Sequence, residues 1–172
     1  MDVKFESKDM GKAKIDRELR AARKLVALVG IPSDAKRHED NPNIGLAEIA
    51  FIMEKGSTVN KIPPRPFMQQ TRIMNEKKVA DLSKKYLSAI STGKMSAMDA
   101  IKKLGGTYEL AMKEIFTKGS FEKNASITIE GGWMRNHVSG KPFKVEGKKS
   151  TRPLEGKTGL LRQSIKFKVA KI

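Results

Sequence analysis

Cysteine is missing from this chain of 172 residues, which removes disulfides and thiolate chemistry together. Histidine is nearly missing too. His38 and His137 are the only two, and both sit in polar stretches that read as surface. A zinc site built from so few imidazoles would need carboxylates in support, and the neighbouring Glu39-Asp40 reads as a loop of solvated charge. Aromatic residues make up only 6%, with Trp133 the sole tryptophan. No apolar run approaches the roughly 18 residues of a membrane helix. The opening MDVKFESKDM has no apolar core of the kind a secretion signal carries, so the expectation is a soluble protein made in the cytoplasm. Acids are scarce beside bases: 19 against 35, a formal charge of +16. That balance favours partners with negative surfaces, whether nucleic acid, anionic membrane or acidic protein.

Several catalytic signatures are lacking as well. There is no phosphate-binding G-x-x-x-x-G-K-[ST], no G-x-G-x-x-G after a strand, no G-x-S-x-G and no H-E-x-x-H. A hydrolase acting on phosphate or cell wall therefore has no visible cluster to work with. The expectation is a non-enzyme with no cofactor and no metal.

What is present is a pattern of alternating element types. Val3 and Phe5 read as a short strand start. Ile15, Leu19, Ala22 and Val26 recur at helical spacing. The compact run Leu25 to Val29, closed by Gly30-Ile31-Pro32, reads as a buried strand, which ends the first helix near Arg23 or Lys24. Residues 33–43 read as an exposed loop, and 44–55 as a short helix stopped by Gly56. Three prolines in the four positions 63–66 forbid regular helix or central strand. Phe67 to Ile90 reads as a long helix ended by Ser91-Thr92-Gly93. Ser96 and Asp99 form a weak capping box for a second long helix, with Ile101, Leu104, Tyr108, Met112 and Ile115 on one face. Gly105-Gly106 inside it implies a kink or the close approach of another backbone. Ser126 to Ile129 reads as extended. At the end, Ile165, Phe167 and Val169 alternate with Lys166, Lys168 and Ala170, a half-buried strand.

From Glu130 to Ile172 there are eleven Lys and Arg and three acids. This tail could neutralise phosphates, face an acidic protein, or lie solvated. Trp133 reads first as packing in a core or interface and second as stacking on a base, since no other aromatic stands near it in the basic stretch.

Two groups of residues carry a resemblance. The first is Gly30-Ile31-Pro32-x-Asp34, then Asn43-Ile44-Gly45-Leu46-Ala47-Glu48-Ile49-Ala50-x-Ile52-x-Glu54-x-Gly56, then Ile62-Pro63-x-Arg65-Pro66-Phe67. The second is Pro153-Leu154 followed by Thr158-Gly159-x-Leu161-x-x-Ser164-Ile165, roughly 90 residues after the proline cluster. In order and spacing the chain resembles the tail-completion, or virion-morphogenesis, proteins of long-tailed bacteriophages. It departs from that pattern in a longer and more basic stretch at 120–150. Physically, the prolines stiffen the approach to the long helix, with Pro66 near its first turn and Phe67 ready to enter a core. Arg65 is placed for a carboxylate on its own subunit or a neighbour's. Thr158 can cap a short helical turn bearing Leu160, Leu161 and Arg162. Ser164-Ile165 leads into the last strand, which can add to its own sheet or a neighbour's edge.

The resemblance implies one α+β domain over residues 1–172, a small mixed or antiparallel sheet flanked by two long helices, with a basic segment at about 120–156 that could be mobile in the free subunit. It implies a structural subunit of the phage neck that closes into a homo-oligomeric ring, hexamer or dodecamer, between the capsid connector and the tail tube or terminator. Genomic DNA would pass through the lumen, no membrane is involved, and the protein's home is the virion. The assembly residues so implied are Ile62, Pro63, Arg65, Pro66, Phe67, Thr158, Gly159, Leu161, Ser164 and Ile165. Lys166, Lys168 and Lys171 are candidates for touching DNA or an acidic partner. The competing expectation is a basic nucleic-acid-binding module acting as monomer or dimer.

Overall fold

The computed structural model describes residues 10–35, 37–38, 41–58, 62–135, 139–147, 153–154 and 159–172. The expected strand at Val3 and Phe5, His137 and Thr158 lie outside them. In chain order the elements are α1 (Met10–Ala22), β1 (Leu25–Gly30), β2 (Arg37–His38), β3 (Asn41–Gly45), α2 (Leu46–Lys55), α3 (Phe67–Ser91), α4 (Ala97–Lys118), α5 (Ser126–Glu130), β4 (Gly131–Arg135), β5 (Pro142–Glu146), α6 (Leu160–Gln163) and β6 (Lys166–Lys171). The fold class is α+β: two long helices with small antiparallel sheets. The strands pair as β1 with β6, β2 with β3, and β4 with β5. The chain forms two compact units, described separately below.

Unit one comprises the described residues of Met1–Val29, Met74–Glu109 and Phe167–Ile172. Ile90, Ala97 and Ala100 form its buried centre, with Leu19, Ala22, Leu25 and Tyr86 packed against them. Small side chains at Ala97 and Ala100 let α4 come close to its neighbours. The C-terminal end of α3 closes as expected. Gly93 takes φ +70, its N–H donates to the Ile90 carbonyl, and that of Lys94 donates to the Ala89 carbonyl. This is a Schellman ending, which needs a residue at ease with positive φ. At the start of α4, Ser96 Oγ accepts the Asp99 N–H at 3.0 Å and donates to the Asp99 carboxylate at 2.7 Å. A second acid arrives from far off: Glu18 of α1 accepts the Ala97 N–H at 2.8 Å.

α4 stays helical through Gly105 and Gly106, and the nearest atoms at the pair belong to a side chain. What fills the notch is an aromatic ring. A Cβ on Gly105 would stand 2.5 Å from Phe167 Cδ2 and 3.0 Å from its Cγ, whereas one on Gly106 would meet the ring at an ordinary 3.8 Å. The two glycines should therefore respond oppositely to alanine. Gly106→Ala should raise stability by up to ~1 kcal/mol through helix propensity. Gly105→Ala must displace the ring near its root, so it should cost about 1–2 kcal/mol net. Thermal melts of the two variants check this, and equal shifts would refute the packing argument.

Phe167 lies on β6, whose burial alternates from Lys166 to Val169 as the spacing predicts and breaks at Ala170, which is half-buried. Its N–H donates to Glu109 at 2.8 Å. The Ile172 N–H donates to the Lys24 carbonyl, setting the end of β6 beside the start of β1. The last strand thus joins its own chain's sheet.

Unit two comprises Gly30–Ile73 and Leu110–Lys166. Its buried apolar residues include Leu46, Ala50, Phe67, Met112, Ile115, Phe116, Leu154 and Ile165. Residues 33–43 are not one loop. Described parts of them pair as the β2–β3 hairpin, with a shift of register beside His38. The charges and Pro42 conceal this because a two-residue strand with a bulge leaves no alternation to read. Ser126–Glu130 is a short helix rather than an extended piece. Thr128 and Ile129 N–H groups both reach back to the Ala125 carbonyl, so local bonding overrides the β-branched composition.

Candidate functional site

The proline cluster forms an arm between α2 and α3. It begins at Gly56, which ends α2 with φ +75, its N–H donating to the Ile52 carbonyl. A Cβ there would sit 2.8 Å from both the Ile62 carbonyl and Pro64 N, so only glycine lets the arm double back. Ser57 and Ile62 then exchange two backbone hydrogen bonds of 2.8 Å each. Pro63 and Pro66 are half-buried and Pro64 is exposed. The Arg65 N–H donates to the Met53 carbonyl, and the Phe67 N–H to the Arg65 carbonyl, a three-residue turn about Pro66.

Pro66 stands in the N-cap position of α3, since its carbonyl accepts from Gln70 N–H. Proline has no side-chain oxygen for the free amides of the first turn. Glu54 supplies it. Its two carboxylate oxygens accept the Met68 N–H at 2.9 Å and the Gln69 N–H at 3.1 Å. A negative group at this end of a helix also meets the positive end of its dipole. Glu54→Ala should lower stability by about 1–2 kcal/mol, and Glu54→Gln by roughly half of that. Urea midpoints falling at unchanged slope would confirm it; no shift in the midpoint would count against the cap.

Among the described residues Arg65 donates no hydrogen bond to a carboxylate of its own subunit. It is 4% exposed and its donors go to neutral groups. Nε donates to the Glu122 main-chain carbonyl at 3.2 Å, Nη2 to Asn124 Oδ1 at 3.0 Å, and Nη1 reaches Met53 Sδ at 3.5 Å. Burial draws the guanidinium pKa below its ordinary value, and the nearby Glu122 charge pulls in the other direction. The planar fork suits this task, because three divergent partners are met from one rigid group. Gln70 Nε2 adds a bond to the Ser120 carbonyl. Together the arm and the start of α3 hold the segment 120–124 that follows α4. Phe67 is fully buried and meets Phe116 edge to face, with ring centroids 5.0 Å apart.

Phe116 also lines a half-open cleft of about 360 Å³ with Lys113, Gly159, Arg162 and Gln163. The two motif groups, distant in sequence, are therefore brought to the same aromatic ring. Gly159 takes φ +62 as the cap of α6, Leu161 and Ser164 are half-buried, and Ile165 is fully buried. Lys166, Lys168 and Lys171 are all exposed on β6. Lys166 and Lys168 share a face, and Lys171 falls on the opposite parity. Asn124 and Phe116 had no signal in the sequence that tied them to the arm, and Glu54 had only its place in the motif.

The β4–β5 hairpin also belongs to unit two. Trp133 pairs with Lys144, Met134 with Phe143 and Arg135 with Pro142. Trp133 is 70% exposed, so it is not part of the subunit's core.

Among the described residues no three His, Asp or Glu are grouped to hold a metal ion, and no helix is long and apolar enough to cross a membrane. No family model, no curated protein and no solved structure matches this chain.

Proposed function

We propose that the chain is a structural virion protein of the bacteriophage neck, acting in tail completion as one subunit of a homo-oligomeric ring. The observation that carries this reading is the division of labour in unit two. The motif residues Arg65, Phe67 and Ile165 are consumed inside as latch and core, while Phe51 (66% exposed), Leu110 (64%) and Ile73 (58%) are left on the surface. Large apolar side chains left outward suit a subunit that neighbours will cover. Head-to-tail contacts that close under rotation make a ring. Its other partners are the head–tail connector and the tail tube or terminator, and duplex DNA passes through its lumen. Lys166 and Lys168, on one face of β6, meet that DNA or an acidic partner ring, and Lys171, at the strand's end on the opposite face, reaches the same partner from its edge. The chain acts by presenting surfaces and carries out no reaction.

The test is a phage strain lacking the gene. Negative-stain microscopy should show full heads separated from tails, and added full-length protein should restore joining. Intact tailed particles without the protein would end this reading. Replacing the three lysines by alanine should impair DNA retention or joining, and normal particles would remove the lumen assignment. The second reading, a basic nucleic-acid-binding module working as monomer or dimer, draws on the +16 charge. It requires steeply salt-dependent binding of the isolated protein to duplex DNA, without ring formation or capture by capsids.

A further inference from the structure

The only tryptophan of the chain is 70% exposed, on a platform left open among the described residues of unit two. Alternate residues of a strand share a face, so Trp133 and Arg135 of β4 and Pro142 and Lys144 of β5 form one surface of the ribbon. Met134 and Phe143 form the other. Lys144 lies directly across from the indole, and Arg135 lies two residues along the same strand. Both cations are exposed, as is Pro142. Glu146, opposite Gly131 at the base of the same face, marks its lower limit.

The root of the ribbon is fixed. A Cβ on Gly132, whose φ is +142, would come within 2.6 Å of Ile127 Cδ1. On Gly131, with φ +82, it would come within 2.7 Å of Gly147 N and 2.8 Å of the Val145 carbonyl. The first contact seats β4 against α5 and the second holds β4 close to the end of β5, so the root of the platform is tightly packed. An indole left 70% exposed forgoes most of the stabilisation that its burial would supply.

We infer that this face binds single-stranded nucleic acid. One base stacks on the Trp133 indole, and Arg135 and Lys144 take the phosphates to either side. Stacking on an exposed aromatic ring between cations is how sequence-tolerant single-strand sites work. A duplex fits less well, because its bases already cover one another and offer the indole no open π-face. A second copy of this chain is disfavoured by repulsion between cationic faces of a +16 protein. An acidic protein would bury the indole inside a water-excluding ring of apolar contacts. Here the large apolar neighbours, Met134 and Phe143, are on the wrong side of the ribbon. The inference stands apart from the neck reading, and either can fail without the other.

The sole tryptophan makes its own reporter. The full-length protein is titrated with a 12-residue oligothymidylate while its intrinsic fluorescence is followed. Saturable quenching is expected. In parallel, anisotropy of the labelled oligonucleotide gives affinities for variants. Trp133→Ala should weaken binding roughly 5- to 150-fold, the equivalent of ~1–3 kcal/mol of stacking. Trp133→Phe should keep most of the affinity. Arg135→Ala and Lys144→Ala should each lower the slope of log K against log salt by about 0.7. Circular dichroism should be unchanged in all of them, since the side chains are exposed. Binding without quenching, or equal affinity in Trp133→Ala, would overturn the inference. So would a poly-glutamate peptide or a 20-base-pair duplex that quenches and competes as well as the oligothymidylate.

Discussion

Arg65→Ala is expected to lower the unfolding free energy by about 3–5 kcal/mol, the range for removing one member of a buried charged network. Three partners lose their donor at once: the Glu122 carbonyl, Asn124 Oδ1 and Met53 Sδ. Asn124 is itself 8% exposed, so water does not readily replace the guanidinium. The segment 120–124 would lose its main tie to the arm. For a chain of this length the melting point should fall by roughly 10 °C. Arg65→Lys should also fail, with a loss of about 2 kcal/mol, because an ammonium cannot serve three divergent acceptors in one plane. The depressed pKa says that the protein holds this charge at a cost. It follows that Arg65→Met with Asn124→Leu should recover part of the loss, by removing charge and acceptor together. Chemical denaturation of the four proteins decides the matter. A single alanine variant within 0.5 kcal/mol of the parent, on the scale of an ordinary surface change, would show that the latch holds nothing.

Phe67→Ala should be as severe, at about 3–5 kcal/mol, for a different reason. The ring is 0% exposed, so its removal opens a cavity beside Phe116 and ends the edge-to-face contact. Phe67→Leu keeps most of the volume and should cost less than about 1.5 kcal/mol beyond the lost ring contact. Arg65 and Phe67 stand on the same short turn. Their double variant should therefore fall short of the sum of the singles by 0.5 kcal/mol or more. Full additivity, measured by urea denaturation, would mean that the arm does not act as one piece.

Much of the fold was written locally. The change from helical to strand spacing at Leu25, the stops at Gly56 and Gly93, and the alternation in the last strand are all short-range signals, and each element stands where they put it. The failures share a cause. The β2–β3 hairpin is too short and too irregular to impose a period on its residues. α5 forms from a Ser-Ile-Thr-Ile run that favours strand, because main-chain bonds to Ala125 and the anchoring of the next ribbon outweigh propensity. The assembly residues were legible as a cluster, but not their use. Arg65 meets Asn124 across 59 positions, and no spacing rule joins an arginine to an asparagine at such a distance. The glycine pair of α4 announced a close neighbour, yet only the fold could name Phe167 as that neighbour.

Glu18, Glu54 and Glu109 each point a carboxylate at the start of another element, at Ala97, at Met68 with Gln69, and at Phe167. With 19 acids against 35 bases, and three of those acids committed to backbone amides, the lysines outside remain in large excess. Copies of the subunit must then approach one another against mutual repulsion. At 0.01 M salt that field reaches about 30 Å, and at 1 M about 3 Å. Self-association is accordingly expected to have an ionic-strength threshold, with monomers in dilute buffer and higher species as salt rises or an acidic template is supplied. Sedimentation velocity across a salt series would show the step, and association that weakens with added salt would contradict it.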